Sequence, residues 1–162
     1  SSEILKSDRV KKQTHDSVTR EKIILICLIE NPFLISNYTE ELGKISFNDL
    51  NLASLISKIL EFSVSNRDKE LENLDLKSYL TNEGLDRELN YIFQPKLLNT
   101  YRSIINNTKE EVEKGFTGLL DLHKNLLNEG DLNIALNNLE EKMDEESFEN
   151  FLRIKKESIS KN

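Results

Sequence analysis

Apolar residues recur along most of this chain at spacings of three and four, the period of one helical face. The densest block, Ile23-Ile24-Leu25-Ile26-Cys27-Leu28-Ile29, is apolar nearly all round, so its helix must be central to a core. Ser17 or Thr19 offers it an N-cap, and Glu21 stands in the first turn, where negative charge suits the helix dipole. Asn31-Pro32 closes it, because the residue before a proline avoids the helical region. The same pair opens the next turn, with Asn31 as cap and Pro32 at the first helical position. Phe33, Leu34 and Ile35 follow, then a short segment from Tyr38 to Leu42 that ends at Gly43. Ser46 with Asp49 makes a capping-type signature, and behind it Leu50, Leu52, Ala53, Leu55, Ile56, Ile59, Leu60 and Phe62 predict a helix to about Val64.

Residues 65–73 read as a charged loop. Leu74, Leu76, Tyr79 and Leu80 predict a short helix ended by Asn82 to Gly84, and Leu85, Leu89, Ile92 and Phe93 another, stopped at Gln94-Pro95. From Lys96 to Asn128 no strong breaker intervenes. One face there reads Leu97, Tyr101, Ile104, Thr108, Val112, Phe116, Leu119, His123 and Leu126, which predicts a single helix of about nine turns. Gly115 and Gly118 weaken it locally, each by about 1 kcal/mol relative to Ala, and permit a bend. Glu129-Gly130-Asp131 reads as a C-cap followed by an N-cap. A short helix with Leu132, Ala135, Leu136 and Leu139 comes next. Met143 to Glu146 turn the chain with Asp144 as cap, and a last helix carries Phe148, Phe151, Leu152, Ile154 and Ile159.

The expected fold class is therefore all-α: a bundle of short helices, a long connecting helix and a C-terminal helical hairpin. The expected boundaries are a linker end over 1–16, a bundle subdomain over 17–128 that includes the connecting helix at 96–128, and the hairpin over 129–162. No repeat of fixed period is present. Such a hairpin cannot bury both its faces alone, so it needs either the long helix or a partner.

Composition narrows the picture. A chain of 162 residues suits one domain or one domain with an appendage, and only five Gly and two Pro leave few obligatory turns. Its hydrophobic fraction of 37% is low for a compact globule yet above that of disordered chains. The net charge of −7 repels phosphate backbones, so direct nucleic-acid binding is not expected of the bulk surface. Lys6, Arg9, Lys11 and Lys12 around Val10 form a basic exception, which reads more simply as a solvated arm than as a binding patch. Cys27 has no partner within the chain and behaves as a small hydrophobe, which points to a reducing compartment. No apolar run approaches the ~18 residues that cross a bilayer, and no signal peptide is evident, so a cytoplasmic protein without a membrane partner is expected. A start at Ser1 suggests a piece of something longer.

The usual enzymatic devices are missing: no glycine-rich phosphate loop, no Cys or His pair at zinc-ligand spacing, no nucleophile elbow. His15 lies in the polar arm, and His123 on the apolar side of the long helix reads as a satisfied core or boundary histidine. Glu40-Glu41, Glu110-Glu111, Glu140-Glu141 and Asp144-Glu145-Glu146 fall at helix ends or outward faces, where solvation and helix dipoles explain them. No catalytic residue, metal or cofactor is expected. The last helix is more informative. Projected at 100° per residue, Phe148, Phe151, Leu152, Ile154 and Ile159 span roughly 160°, with Lys155 inside the arc and Arg153 and Lys156 at its borders. An apolar stripe is more often core than interface. A band this wide, however, exceeds what one neighbour covers, and Lys155 can snorkel or meet an acidic partner.

Two stretches carry a family resemblance. Arg20-Glu21-Lys22-Ile23-Ile24-Leu25 through Ile29-Glu30-Asn31-Pro32-Phe33-Leu34 resembles the first core helix of the C-terminal domain of DnaG-type primases. There an apolar helix runs into a His-Pro-Trp-Leu-Leu-like turn; here Asn31 and Phe33 stand where His and Trp are usual. The ending Glu145-Glu146-Ser147-Phe148-Glu149-Asn150-Phe151-Leu152-Arg153-Ile154-Lys155 is similar to the alphaproteobacterial form, with its Glu-Glu-Asn-x-x-Arg-Leu-Lys terminal helix. The resemblance spans about residues 15–160 through degenerate, mostly apolar motifs.

The resemblance implies a helicase-binding domain, without catalysis of its own, whose hairpin docks on the N-terminal domains of a replicative DnaB-type helicase. The parent's zinc-binding and polymerase domains would lie upstream. It assigns docking to Phe151, Leu152, Arg153, Ile154, Lys155, Lys156 and Ile159, with Leu132, Leu136 and Leu139 in support. A homodimer through the hairpin stays open, as do two other readings: the helicase's own N-terminal domain, and an unrelated helical adaptor.

Overall fold

Every residue from Ile23 to Ile29 is buried, five of the seven completely, as an all-round apolar helix requires. This helix, α1 over residues 17–30, is the centre of a computed structural model that describes residues 17–142 and 152–157, with backbone alone over 127–142. Asn31 ends it by donating its backbone N–H to Cys27 O at 2.9 Å. The Asn31 side chain was expected to cap the next turn. Instead its Nδ2 donates to Ile105 O at 2.8 Å and ties the end of α1 to a segment far along the chain. Two short helices follow, α2 (Phe33–Asn37) and α3 (Thr39–Gly43).

The next helix, α4 (Leu50–Ser65), turns Leu52, Leu55, Ile56, Ile59 and Phe62 inward. Its cap is Asp49 rather than Ser46, with the carboxylate accepting from the N–H groups of Asn51 and Leu52. The charged stretch after it is not all loop. Leu71–Asn73 forms a 3-10 turn, and Leu71 is buried, so one apolar side chain pins an otherwise polar connection to the core. Asp75 caps α5 (Leu76–Asn82). Gly84 at φ +82° then closes it in a Schellman turn, with Leu85 N donating to Leu80 O and Gly84 N to Thr81 O, both at 3.0 Å. Leu89 and Ile92 face inward from α6 (Asp86–Ile92).

The predicted single helix over 96–128 is not what forms. Pro95 at the first helical position opens α7 (Pro95–Thr100), Tyr101 breaks the chain, and α8 (Arg102–Ile105) ends at Asn106. The second break has a local cause: Asn107 Oδ1 accepts from Thr108 N at 2.8 Å, and Thr108 Oγ1 accepts from Glu111 N at 3.3 Å. Short polar side chains thus replace the helical ladder and start a new helix with Glu110 and Glu111 in its first turn. That helix, α9 (Lys109–Lys142), runs through Glu129-Gly130-Asp131, where a stop was expected. One helical glycine costs about 1 kcal/mol, whereas ending the helix orphans several backbone groups.

The chain divides into two compact units, residues 1–120 and 121–162. In the first, α9 seats Val112 and Phe116 in the core, the Phe116 ring meets Tyr38 edge-on at 5.6 Å, and Tyr38 Oη donates to Glu113 at 2.8 Å. Gly115, expected as a weak point, permits close approach: a Cβ there would meet Ile104 Cγ2 at 3.3 Å. In the second unit, residues 152–157 form a further helix, α10. The arm with His15, Lys6, Arg9, Lys11 and Lys12, the turn at Met143–Glu146, and Phe148, Phe151 and Ile159 lie outside the described residues. The described molecule is all-α.

Candidate functional site

The interface candidate read from the sequence falls in the second unit. There α10 holds Leu152, Arg153, Ile154, Lys155 and Lys156 on little more than one turn. Leu152 is 48% exposed, Arg153, Lys155 and Lys156 are exposed, and Ile154 is half-buried. Half-exposed Leu152 therefore stands beside three exposed cations on this helix. Leu132, Leu136 and Leu139 lie at helical spacing within α9 itself rather than on a separate short helix.

Two further apolar residues of this unit, outside that prediction, are exposed. Leu122 is 50% exposed and Leu126, expected on the inner face of the long helix, is 36% exposed. Their spacing of four was the available signal. His123 between them is buried, as a core position requires.

In the first unit the sequence did not reveal one buried polar residue that joins two helices. Glu21, expected only to suit the dipole of its own helix, is fully buried. Its carboxylate accepts from Asn48 N at 2.7 Å and from Asp49 N at 3.1 Å, so a side chain of α1 fixes the entry to α4. Burial pushes the Glu21 carboxyl above its usual range, with those backbone donors and Arg20 working against the shift and Asp49 adding to it. Around the same corner Tyr91 Oη contacts Asp49 Oδ2 at 3.5 Å, and the Lys22 ammonium sits 3.9 Å from the Tyr91 ring centroid. This corner joins α1, α4 and α6 and is structural.

A shallow groove also opens beside α4, lined by Ser57, Leu60, Glu61, Val64, Ser65 and Tyr79. Of its lining, Glu61 is bridged at 3.0 Å by Lys58, which also lies 3.7 Å from Glu83.

Burial pushes the Cys27 thiol up to about 12, which keeps it protonated and inert. The Tyr38 hydroxyl, also raised to about 12 by burial and by Glu113, stays a donor. The Glu40-Glu41 and Glu110-Glu111 pairs are exposed in the first turns of α3 and α9. Among the described residues no group of three or more His, Cys, Asp or Glu is placed to hold a metal ion, and no helix is long and apolar enough to cross a membrane.

No family model, no curated protein and no solved structure matches this chain.

Proposed function

We propose that this chain is the helicase-binding C-terminal domain of a DnaG-type primase, a cytoplasmic docking module of the primosome that performs no reaction itself. The observation that carries the reading is α10, where exposed Leu152 stands among Arg153, Lys155 and Lys156 in the segment whose sequence resembles the docking helix of that family. The apolar helix α1 running into Asn31-Pro32-Phe33 supports it from the other end of the chain. The chemistry asked of the domain is tethering. Docking on a helicase ring holds a primase active site near the emerging single strand at an effective concentration in the ~millimolar range for a flexible linkage. The positive face of α10 calls for a helical partner surface with apolar pockets and carboxylates.

The test is light scattering on the full chain mixed with the N-terminal domains of the cognate replicative helicase. Co-elution is expected, lost when residues 143–162 are removed; this cut falls after α9 ends at Lys142. Ile154→Ala or Lys156→Glu should weaken binding about tenfold or more, the size of one interface contact of ~1.4 kcal/mol. No association at micromolar concentration would overturn the helicase reading and leave a helical adaptor with another partner.

A further inference from the structure

We propose that the groove between α4 and α5 receives the α10 helix of a second copy of this chain. Leu60 and Val64 continue the row of buried Ile56 along α4, one turn apart, out from the core that Leu52, Leu55, Ile59 and Phe62 fill. Val64 is 53% exposed and Leu60 half-buried, with the half-buried Tyr79 ring beside them from α5. The groove thus offers an apolar lining that the first unit covers only in part, with Val64 the most open.

Carboxylates stand at this groove. Glu61 lines it, Glu83 acts on the Tyr79 hydroxyl, and the two share the one ammonium of Lys58, so these three groups carry a net negative charge. The hydroxyl of Tyr79 registers this field: burial raises its pKa first, and Glu83 and Glu61 raise it further against Lys58. An occupant must therefore bring an apolar side chain flanked by cations.

Within this chain α10 has that chemistry. Leu152 has Arg153 and Lys156 within one turn, whereas Leu50, Val64, Tyr91, Leu122 and Leu126, the other exposed large apolar residues described, have at most one Lys or Arg within four positions. Leu152 would rest on Leu60 and Val64, and Arg153 and Lys156 would meet Glu61 and Glu83. Each copy carries one groove and one helix, so the contact joins unlike surfaces. It would occupy α10 and hold it from any other partner. The inference does not depend on what that partner is.

Sedimentation equilibrium of the full chain over micromolar to high-micromolar concentrations tests it. The average mass should rise with concentration. Val64→Lys, at an exposed position, places a cation against the incoming helix, and Leu152→Asp removes the apolar contact; each should weaken association at least tenfold with an unchanged circular dichroism spectrum. An equimolar mixture of the two variants is the decisive sample. Val64→Lys keeps an intact α10 and Leu152→Asp an intact groove, so the mixture should regain a heterodimer that neither forms alone. A wild-type chain that stays monomeric, association that survives either substitution, or a mixture that fails to complement would each overturn the proposal.

Discussion

Glu21 shows how one side chain can carry two opposed effects. Its carboxylate satisfies the N–H groups of Asn48 and Asp49 where α4 begins, yet burial raises its pKa above 4.5 in the folded chain. A group that binds protons more tightly when folded stabilises the fold below its unfolded pKa, and that contribution is lost as pH rises through the folded value. Glu21 therefore makes stability fall from about pH 4.5 upward across its titration. Asp75 works the other way: hydrogen bonds from Ser78 lower its pKa below 3.8, so its contribution is lost only as pH falls below that value. In Glu21→Gln the amide oxygen can still accept from both N–H groups. The urea midpoint measured against pH should lose its decline just above 4.5 while the acid limb below 3.8 persists. An unchanged profile would show that Glu21 has the same pKa in the folded and unfolded chain. At this scale the sequence was legible for α1, whose seven apolar residues left no exposed face to choose. Glu21 was not legible, because its partners lie 27 and 28 residues away and no local pattern announces them.

Among the helices, capping chemistry decided the boundaries more than apolar periodicity did. The face from Leu97 to Leu126 keeps helical spacing across Tyr101 and Asn106–Thr108, yet the helix breaks at both places. A period records which side faces the core and is insensitive to short interruptions. The signal for the second break was present as Thr108 with Glu111 three residues on, a capping arrangement that the periodic reading overrode. At Glu129-Gly130-Asp131 the error was the reverse: cap-forming residues were read as a stop, and the backbone continues to Lys142. Gly130→Ala should therefore stabilise α9, by up to about 1 kcal/mol from helix propensity alone. The readout is helicity by circular dichroism together with the urea midpoint. A loss of stability would mean that the glycine serves a turn.

For the whole molecule, the buried apolar residues described all lie between Ile23 and Phe116, within the first compact unit. Removal of residues 143–162 should therefore leave the thermal transition of the bundle within a few degrees of the full chain, since a few degrees corresponds to about 1 kcal/mol for a domain this size. The same truncation should abolish helicase binding and self-association, which separates docking from folding. A collapse of the transition would place the C-terminal segment in the folding core instead.

The sequence by itself determined the all-α class, the central place of α1, the closure at Asn31-Pro32 and the mixed apolar and basic character of α10. Each of these follows from composition or from interactions within a turn or two. Only the tertiary structure decided that Asn31 reaches Ile105, that Glu21 caps the approach to α4, that Leu71 anchors a charged connection, and that Gly115 lies against Ile104. Those contacts join residues distant in sequence, and their free energy comes from burial and hydrogen bonding that exist only once the helices have packed.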